Sequence, residues 1–159
     1  VFFMAKILIA YFSHSGKTKN IAEKIADVSG GILYEIKTVK PYPVDYNTVV
    51  QTAKEELNGN FRPKLIGTLT EMCCFDTLII GFPNWWNTCP MAVLSFLKSY
   101  PLKDKKILPF ITHGGGGIGR SNEDIAKATN GADVRPCIDA NHTIESDIKK
   151  WLSDNEVCE

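Results

Sequence analysis

Nothing in this 159-residue sequence pairs its cysteines: the five, at positions 73, 74, 89, 137 and 158, are odd in number and include no C-x-x-C. That excludes a disulfide framework and a zinc knuckle as organising devices and fits a reducing compartment, the cytoplasm. Charge of one sign is lacking too. Eighteen basic and eighteen acidic residues leave a formal net charge of zero, so no global field argues for nucleic acid or a membrane surface as partner. No apolar run is long enough to span a bilayer, and the opening VFFMAK has no basic segment ahead of its apolar residues, so neither a membrane span nor a signal peptide is expected. Met4 is an alternative start. No Ser/Pro-rich linker divides the chain, and with 44% hydrophobic residues residues 1–159 are expected to form one domain with an ordinary core.

What is present is a strand-loop-helix pattern stated three times. Residues 5–12, AKILIAYF, form a nearly continuous apolar run, as a strand buried on both faces requires. SHSGKT follows, then a helix from Lys17 to Val28 with Ile21, Ile25 and Val28 at helical spacing, stopped by Gly30 and Gly31. Residues 32–39 read as a second strand. Asp45 is the expected N-cap of a helix through Leu57 that turns Val49, Val50, Ala53 and Leu57 inward. Residues 60–74 show no clean period and are read as a connection with one short helical turn. Residues 76–82 (DTLIIGF) are a buried strand, PNWWNTC a loop, and Pro90 opens a helix carrying Met91, Leu94 and Leu97. Residues 106–112 (KILPFIT) are the next strand, followed by HGGGGIGRS and a helix near 122–129. An outer strand over 133–140 and a helix over 143–152, with Ile144, Ile148, Trp151 and Leu152 on one face, complete the chain. Asn141, His142 and Thr143 are expected to cap that helix. Five strands alternating with helices imply a parallel sheet covered on both sides, with ligands at the carboxyl ends of its strands.

The first loop is a phosphate cradle by its chemistry. A helix N-terminus presents unpartnered N–H groups and a positive dipole end, to which Ser13, Ser15 and Thr18 add hydroxyls and Lys17 a charge, while Gly16 permits the tight turn. Three ligands compete for it. Gly16-Lys17-Thr18 matches the end of a nucleoside triphosphate loop, but that loop needs glycine where Tyr11 stands. Gly114, Gly116 and Gly119 satisfy a dinucleotide GxGxxG, yet in a run of four glycines the match is nearly automatic, and it leaves the first loop unexplained.

Taken together, SHSGKT at 13–18, PNWW at 83–86 and THGGGGIG at 112–119 resemble the loops of flavodoxins, in particular small flavodoxin-like proteins with a PxWW loop and a T-[SH]-G-G-x-G loop. The resemblance covers nearly the whole chain. It implies an α/β fold, the flavodoxin-like three-layer sandwich with a five-stranded parallel sheet in order 2-1-3-4-5, and a bound FMN. Ser13, His14, Ser15, Gly16, Lys17 and Thr18 would surround the phosphate. Pro83, Asn84, Trp85, Trp86 and Asn87 would flank the ring, and Thr112, His113, Gly114 and Gly115 its pyrimidine edge. One tryptophan is expected to stack on the flavin and the other to pack on protein. The glycines would let backbone N–H groups approach the flavin carbonyls.

The resemblance also implies redox transfer between partner proteins, with an FMN-dependent oxidoreductase acting on a small acceptor as the alternative. Two departures favour that alternative: carriers of the family are usually acidic, and they commonly place a glycine beside the flavin whose peptide reorients on one-electron reduction. Residues 83–88 contain no glycine, and the late loop has no aromatic, so an open outer face on the ring is expected. His113 is either a proton donor or a hydrogen-bonded loop histidine, His14 contributes backbone to the cradle, and Cys89 is a small buried apolar residue. A homodimer through the apolar surface of the PNWW loop is a further expectation.

Overall fold

A computed structural model describes residues 6–157. Its elements are β1 (Ile7–Tyr11), α1 (Lys17–Ser29), β2 (Ile32–Glu35), α2 (Tyr46–Asn58), β3 (Thr77–Pro83), α3 (Met91–Lys98), β4 (Lys106–Thr112), α4 (Ser121–Ala128), β5 (Asp133–Val134), β6 (Ile138–Asp139) and α5 (Glu145–Asp154). All pairings are parallel, in the order β2-β1-β3-β4-β5, with β6 continuing the outer position beside β4. This is the expected 2-1-3-4-5 sheet. Ala5, at the start of the first expected strand, lies outside the described residues, as does Cys158.

The central strands are apolar on both faces because both faces are covered. Leu8, Ala10, Ile80 and Phe82 pack with Val93, Phe96 and Ile125 of α3 and α4, while Ile7, Ile9 and Ile79 pack with Ile21, Ile25, Ile148 and Trp151 of α1 and α5. Gly81 is paired with Phe110 across β3 and β4. A Cβ at Gly81 would stand 2.0 Å from the Phe110 ring, so glycine there makes room for the aromatic that fills this face against Trp151.

Helix ends follow local chemistry. Gly30 adopts φ 74° at the end of α1 and donates to the Ala26 carbonyl at 2.9 Å. Asp45 caps α2 as expected, its Oδ2 accepting from the Thr48 N–H at 2.9 Å and the Thr48 hydroxyl at 2.8 Å.

Three expectations need correction. The second strand ends at Glu35 instead of 39, where its pairing with Tyr11 of β1 runs out. Thr38 then forms an antiparallel bridge to Leu65, which, with a short 3-10 turn at Met72–Cys74, organises the connection that had no period. The outer strand is broken in two. Pro136 has no N–H to give the ladder, and the register against β4 steps by one residue between Val134 and Ile138. Asn122 of α4 clamps this bulge, accepting from the Cys137 N–H at 2.6 Å and donating to the Arg135 carbonyl at 3.0 Å. Finally, Ile144 is 60% exposed and not part of the α5 face; it precedes that helix, and the Asp147 carboxylate accepts its N–H at 3.0 Å.

Candidate functional site

β1, β3 and β4 end on the same sheet edge, so the three loops that follow them converge. In the first, Gly16 adopts φ 94° and α1 begins at Lys17. The Ser13 hydroxyl accepts from the N–H groups of Gly16 at 3.1 Å and Lys19 at 3.3 Å. No acceptor among the described residues meets the N–H groups of Ser15, Lys17 or Thr18. These donors and the dipole end of a 13-residue helix open at the loop that the sequence reads as an anion cradle. Thr18 is buried, its hydroxyl 2.8 Å from that of Thr112, and Lys17 Nζ donates to the His113 carbonyl at 3.1 Å. The cradle is thereby tied to the end of β4.

The second loop is a tight turn. Trp85 N–H donates to the Thr88 carbonyl at 2.9 Å, and the two residues between them, Trp86 and Asn87, have φ of 56° and 68°. Left-handed backbone at two successive residues is the mark of a type I′ turn, and an indole there is strained by about 1 to 2 kcal/mol. Neighbours hold it. The Trp86 indole N–H donates to the Val50 carbonyl of α2 at 2.8 Å, with Lys54 Nζ 5.2 Å from the ring centroid. Asn84 joins this loop to the third: its side chain donates to the Gly117 carbonyl at 2.8 Å and accepts from the Asn87 N–H at 2.9 Å, and its own N–H donates to Thr112 at 2.8 Å. Asn87 in turn accepts from the Arg120 N–H at 2.7 Å, and a Cβ at Gly119 (φ 59°) would stand 2.3 Å from that same carbonyl oxygen.

The third loop is locked from beneath. Asn141 accepts from the His113 N–H at 2.8 Å and donates to its carbonyl at 2.7 Å, so this residue serves the loop and not the helix start expected of it. The His113 ring has both nitrogens engaged. Gly115 N–H donates to Nδ1 at 2.9 Å, which makes Nδ1 the lone-pair nitrogen, and Nε2 then carries the proton and donates to Asp139 at 2.6 Å. His113 is therefore the hydrogen-bonded loop histidine of the two readings. The hydrogen bond from His113, with a second from the Asn141 N–H, holds the Asp139 carboxyl below its ordinary range. A depressed folded-state pKa stabilises the protein above the unfolded value and loses that stabilisation as pH falls through the folded one. Asp139→Asn should accordingly destabilise the protein at pH 7, and in urea titrations the gap between the two proteins should shrink as the pH falls below the ordinary carboxylate range.

The loops enclose one side of a cleft of about 540 Å³. His14, Ser15, Lys17, Pro83, Asn84, Trp85, Trp86, Thr112, His113 and Gly114 line it; Ser13, Gly16, Thr18, Asn87 and Gly115 of the expected set are not among its lining residues. The opposite wall was missed: Tyr46, Val49, Val50 and Ala53 of α2 face the cleft. Their apolar spacing reads equally as a core stripe, so only Tyr46, an exposed aromatic at a helix start, carried a signal. It adds a third aromatic ring to those of Trp85 and Trp86 in the second loop. Trp85 packs edge-on against Phe12 and Tyr42, with centroids 5.2 and 5.0 Å apart, whereas Trp86 is 43% exposed. His14 lies beside Trp85, ring centroids 6.0 Å apart, with its Nε2 2.8 Å from the Pro43 carbonyl oxygen.

A 2-1-3-4-5 sheet with a cradle after β1 and two coupled loops after β3 and β4 is matched by known proteins along its length. The family model described as Flavodoxin matches residues 6–155. The chain belongs to the flavodoxin family. A crystal structure of a Bacteroides eggerthii protein assigned as a flavoprotein is 33% identical with a TM-score of 0.89, covering 97% of this chain and 99% of that one. Another from Bacteroides uniformis is 28% identical with a TM-score of 0.85, over 95% and 99%. A Lactobacillus acidophilus flavoprotein solved in complex with FMN shares the fold at 24% identity, with a TM-score of 0.74 over 92% and 98%. No curated protein matches the sequence.

Among the described residues of this flavodoxin no cysteine lines the cleft. Cys89 and Cys137 are buried, and burial pushes each thiol up to about 12, which leaves them protonated and inert. Cys73 and Cys74 are exposed. Brief iodoacetamide treatment of the native protein should therefore label positions 73 and 74 and spare 89 and 137 until denaturant is added, as peptide mass mapping would show. Among the described residues no group of three or more His, Cys, Asp or Glu could hold a metal ion, and no helix is long and apolar enough to cross a membrane.

Proposed function

We propose that this flavodoxin binds FMN in the cleft and transfers electrons between partner proteins in the cytoplasm. The observation that carries the cofactor reading is the row of unpaired N–H groups at Ser15, Lys17 and Thr18 opening beside a cleft with an indole wall. A monophosphate suits a helix N-terminus plus one lysine. Gly114 supplies a second fit: a Cβ there would meet no protein atom, so packing does not demand glycine, and the open space at this cleft residue would admit close approach of the cofactor. Ser13, His14, Ser15, Gly16, Lys17 and Thr18 would hold the phosphate end; Pro83, Asn84, Trp85, Trp86 and Asn87, with Thr112, His113, Gly114 and Gly115, would hold the ring. FMN, when bound, supplies one- and two-electron redox chemistry.

The protein's share of the work is to orient that ring and keep water from it. The pairing of Asn84 with Gly117 and of His113 with Asn141 fixes the two walls. Trp86, braced on Val50, roofs the cleft. His113 has both nitrogens engaged and Lys17 is bonded to a carbonyl, so neither stands free as an acid or base at the cleft, and this supports the carrier. The second reading, an FMN-dependent oxidoreductase using NADH or NADPH and a flat quinone-like acceptor, draws support from Tyr46, 77% exposed at the cleft mouth, on which such an acceptor could stack. The purified protein should be yellow, with FMN released on denaturation; a colourless protein that cannot be reconstituted removes the cofactor reading. In anaerobic titration the carrier is expected to take up electrons in two separate one-electron steps and to ignore NADH and NADPH. A single two-electron step driven by either nucleotide would replace it with the oxidoreductase.

A further inference from the structure

On the face covered by α2, α3 and α4, two crevices of about 360 and 240 Å³ meet at shared walls formed by Arg62 and Lys98. Neither shares a lining residue with the cleft at the sheet edge. The smaller is cationic: Arg62, Lys98, Arg120 and Lys127 line it against one carboxylate, Asp124, which accepts a short hydrogen bond from the Thr88 hydroxyl. Among the described residues none of the four cations has an ion-pair partner.

Arg62 is the unusual member. Its Nε is enclosed with no acceptor among the described residues, and its Nη1 has only the Phe61 carbonyl and the Met91 sulfur, each at 3.3 Å. The half-buried guanidinium thus has an enclosed Nε donor without an acceptor and no carboxylate beside it, and planar guanidinium suits phosphate oxygens in pairs. The larger crevice has a different wall, formed by Tyr34, Phe96 and Tyr100. Phe96 touches both tyrosines at centroid distances of 5.8 and 5.1 Å.

We propose that the joined crevices are a second binding site, for a nucleoside diphosphate, with the phosphates on Arg62, Lys98, Arg120 and Lys127 and the base against Tyr34 and Tyr100. An aromatic wall and an unneutralised cationic wall meeting at one arginine match the two halves of such a ligand, a flat base and a charged tail. The site does not depend on what fills the cleft.

The test is calorimetry and amide NMR on the full chain with FMN in excess, using ADP, pyrophosphate and adenosine as probes. ADP should bind and shift the amides of Arg62, Lys98, Tyr100 and Lys127, and should bind more tightly than pyrophosphate or adenosine. The double variant Lys98→Gln/Lys127→Gln, at two exposed positions, should weaken ADP at least ten-fold while leaving the flavin spectrum and melting temperature unchanged. No ADP binding at millimolar concentration, shifts confined to residues 13–18 and 112–115, pyrophosphate binding as tight as ADP, or an unchanged affinity in the double variant would each overturn the proposal.

Discussion

Ser15→Asp should abolish most FMN affinity while leaving the fold as stable as before or slightly more so. Ser15 is exposed and lines the cleft at the start of α1. A carboxylate there favours the helix dipole by about 0.3 to 1 kcal/mol. Against a bound phosphate the sign reverses: two unit charges about 4 Å apart near a protein surface repel by about 4 kcal/mol. Allowing for screening, a loss of about 2 to 4 kcal/mol, roughly 30- to 1000-fold in Kd, is expected by fluorescence titration. Riboflavin, which lacks the phosphate, provides the control and should bind the variant and the parent alike. Equal losses for both flavins would place the phosphate elsewhere.

The largest effect on stability is expected at Gly81. Its missing Cβ is replaced in space by the Phe110 ring, so Gly81→Ala forces either β3 or the ring to move in a layer where both neighbours are fully buried. Overpacking of this kind costs about 1 to 3 kcal/mol, and the 2.0 Å approach puts this case at the upper end. A fall in melting temperature of about 6 to 12 °C follows for a domain of this size. Truncating the obstacle tests the cause. In the double variant Gly81→Ala/Phe110→Leu the two losses should be clearly less than additive, and strict additivity would mean that the glycine is there for another reason.

Much of this architecture was legible because its determinants are local. β1, β3 and β4 are uninterrupted apolar runs, which only a strand covered on both faces explains at that length, and Asp45 and Gly30 end their helices by chemistry contained within a few residues. The cradle was legible for the same reason. What stayed hidden depends on partners distant in sequence. Val49 and Ala53 have the spacing of a core stripe, and nothing local says that the space they face is a cleft. Pro136 was visible, but that the strand resumes at Ile138 depends on Asn122 filling the gap. Asn141 looked like a cap because its use, holding both backbone groups of His113 from 28 residues away, has no signature in spacing. The packing of Trp85 and Trp86 was open for the same cause: it depends on Tyr42 and Val50, which lie more than thirty residues upstream.

The bridging of the two walls by Asn84 has a kinetic consequence. Because its one side chain bonds both the turn at 84–87 and the Gly117 carbonyl, neither loop can swing away without breaking the other's support. The two should exchange their amide hydrogens as one cooperative opening unit, at matched rates. Access to the cleft is then a single concerted event at one edge of the sheet.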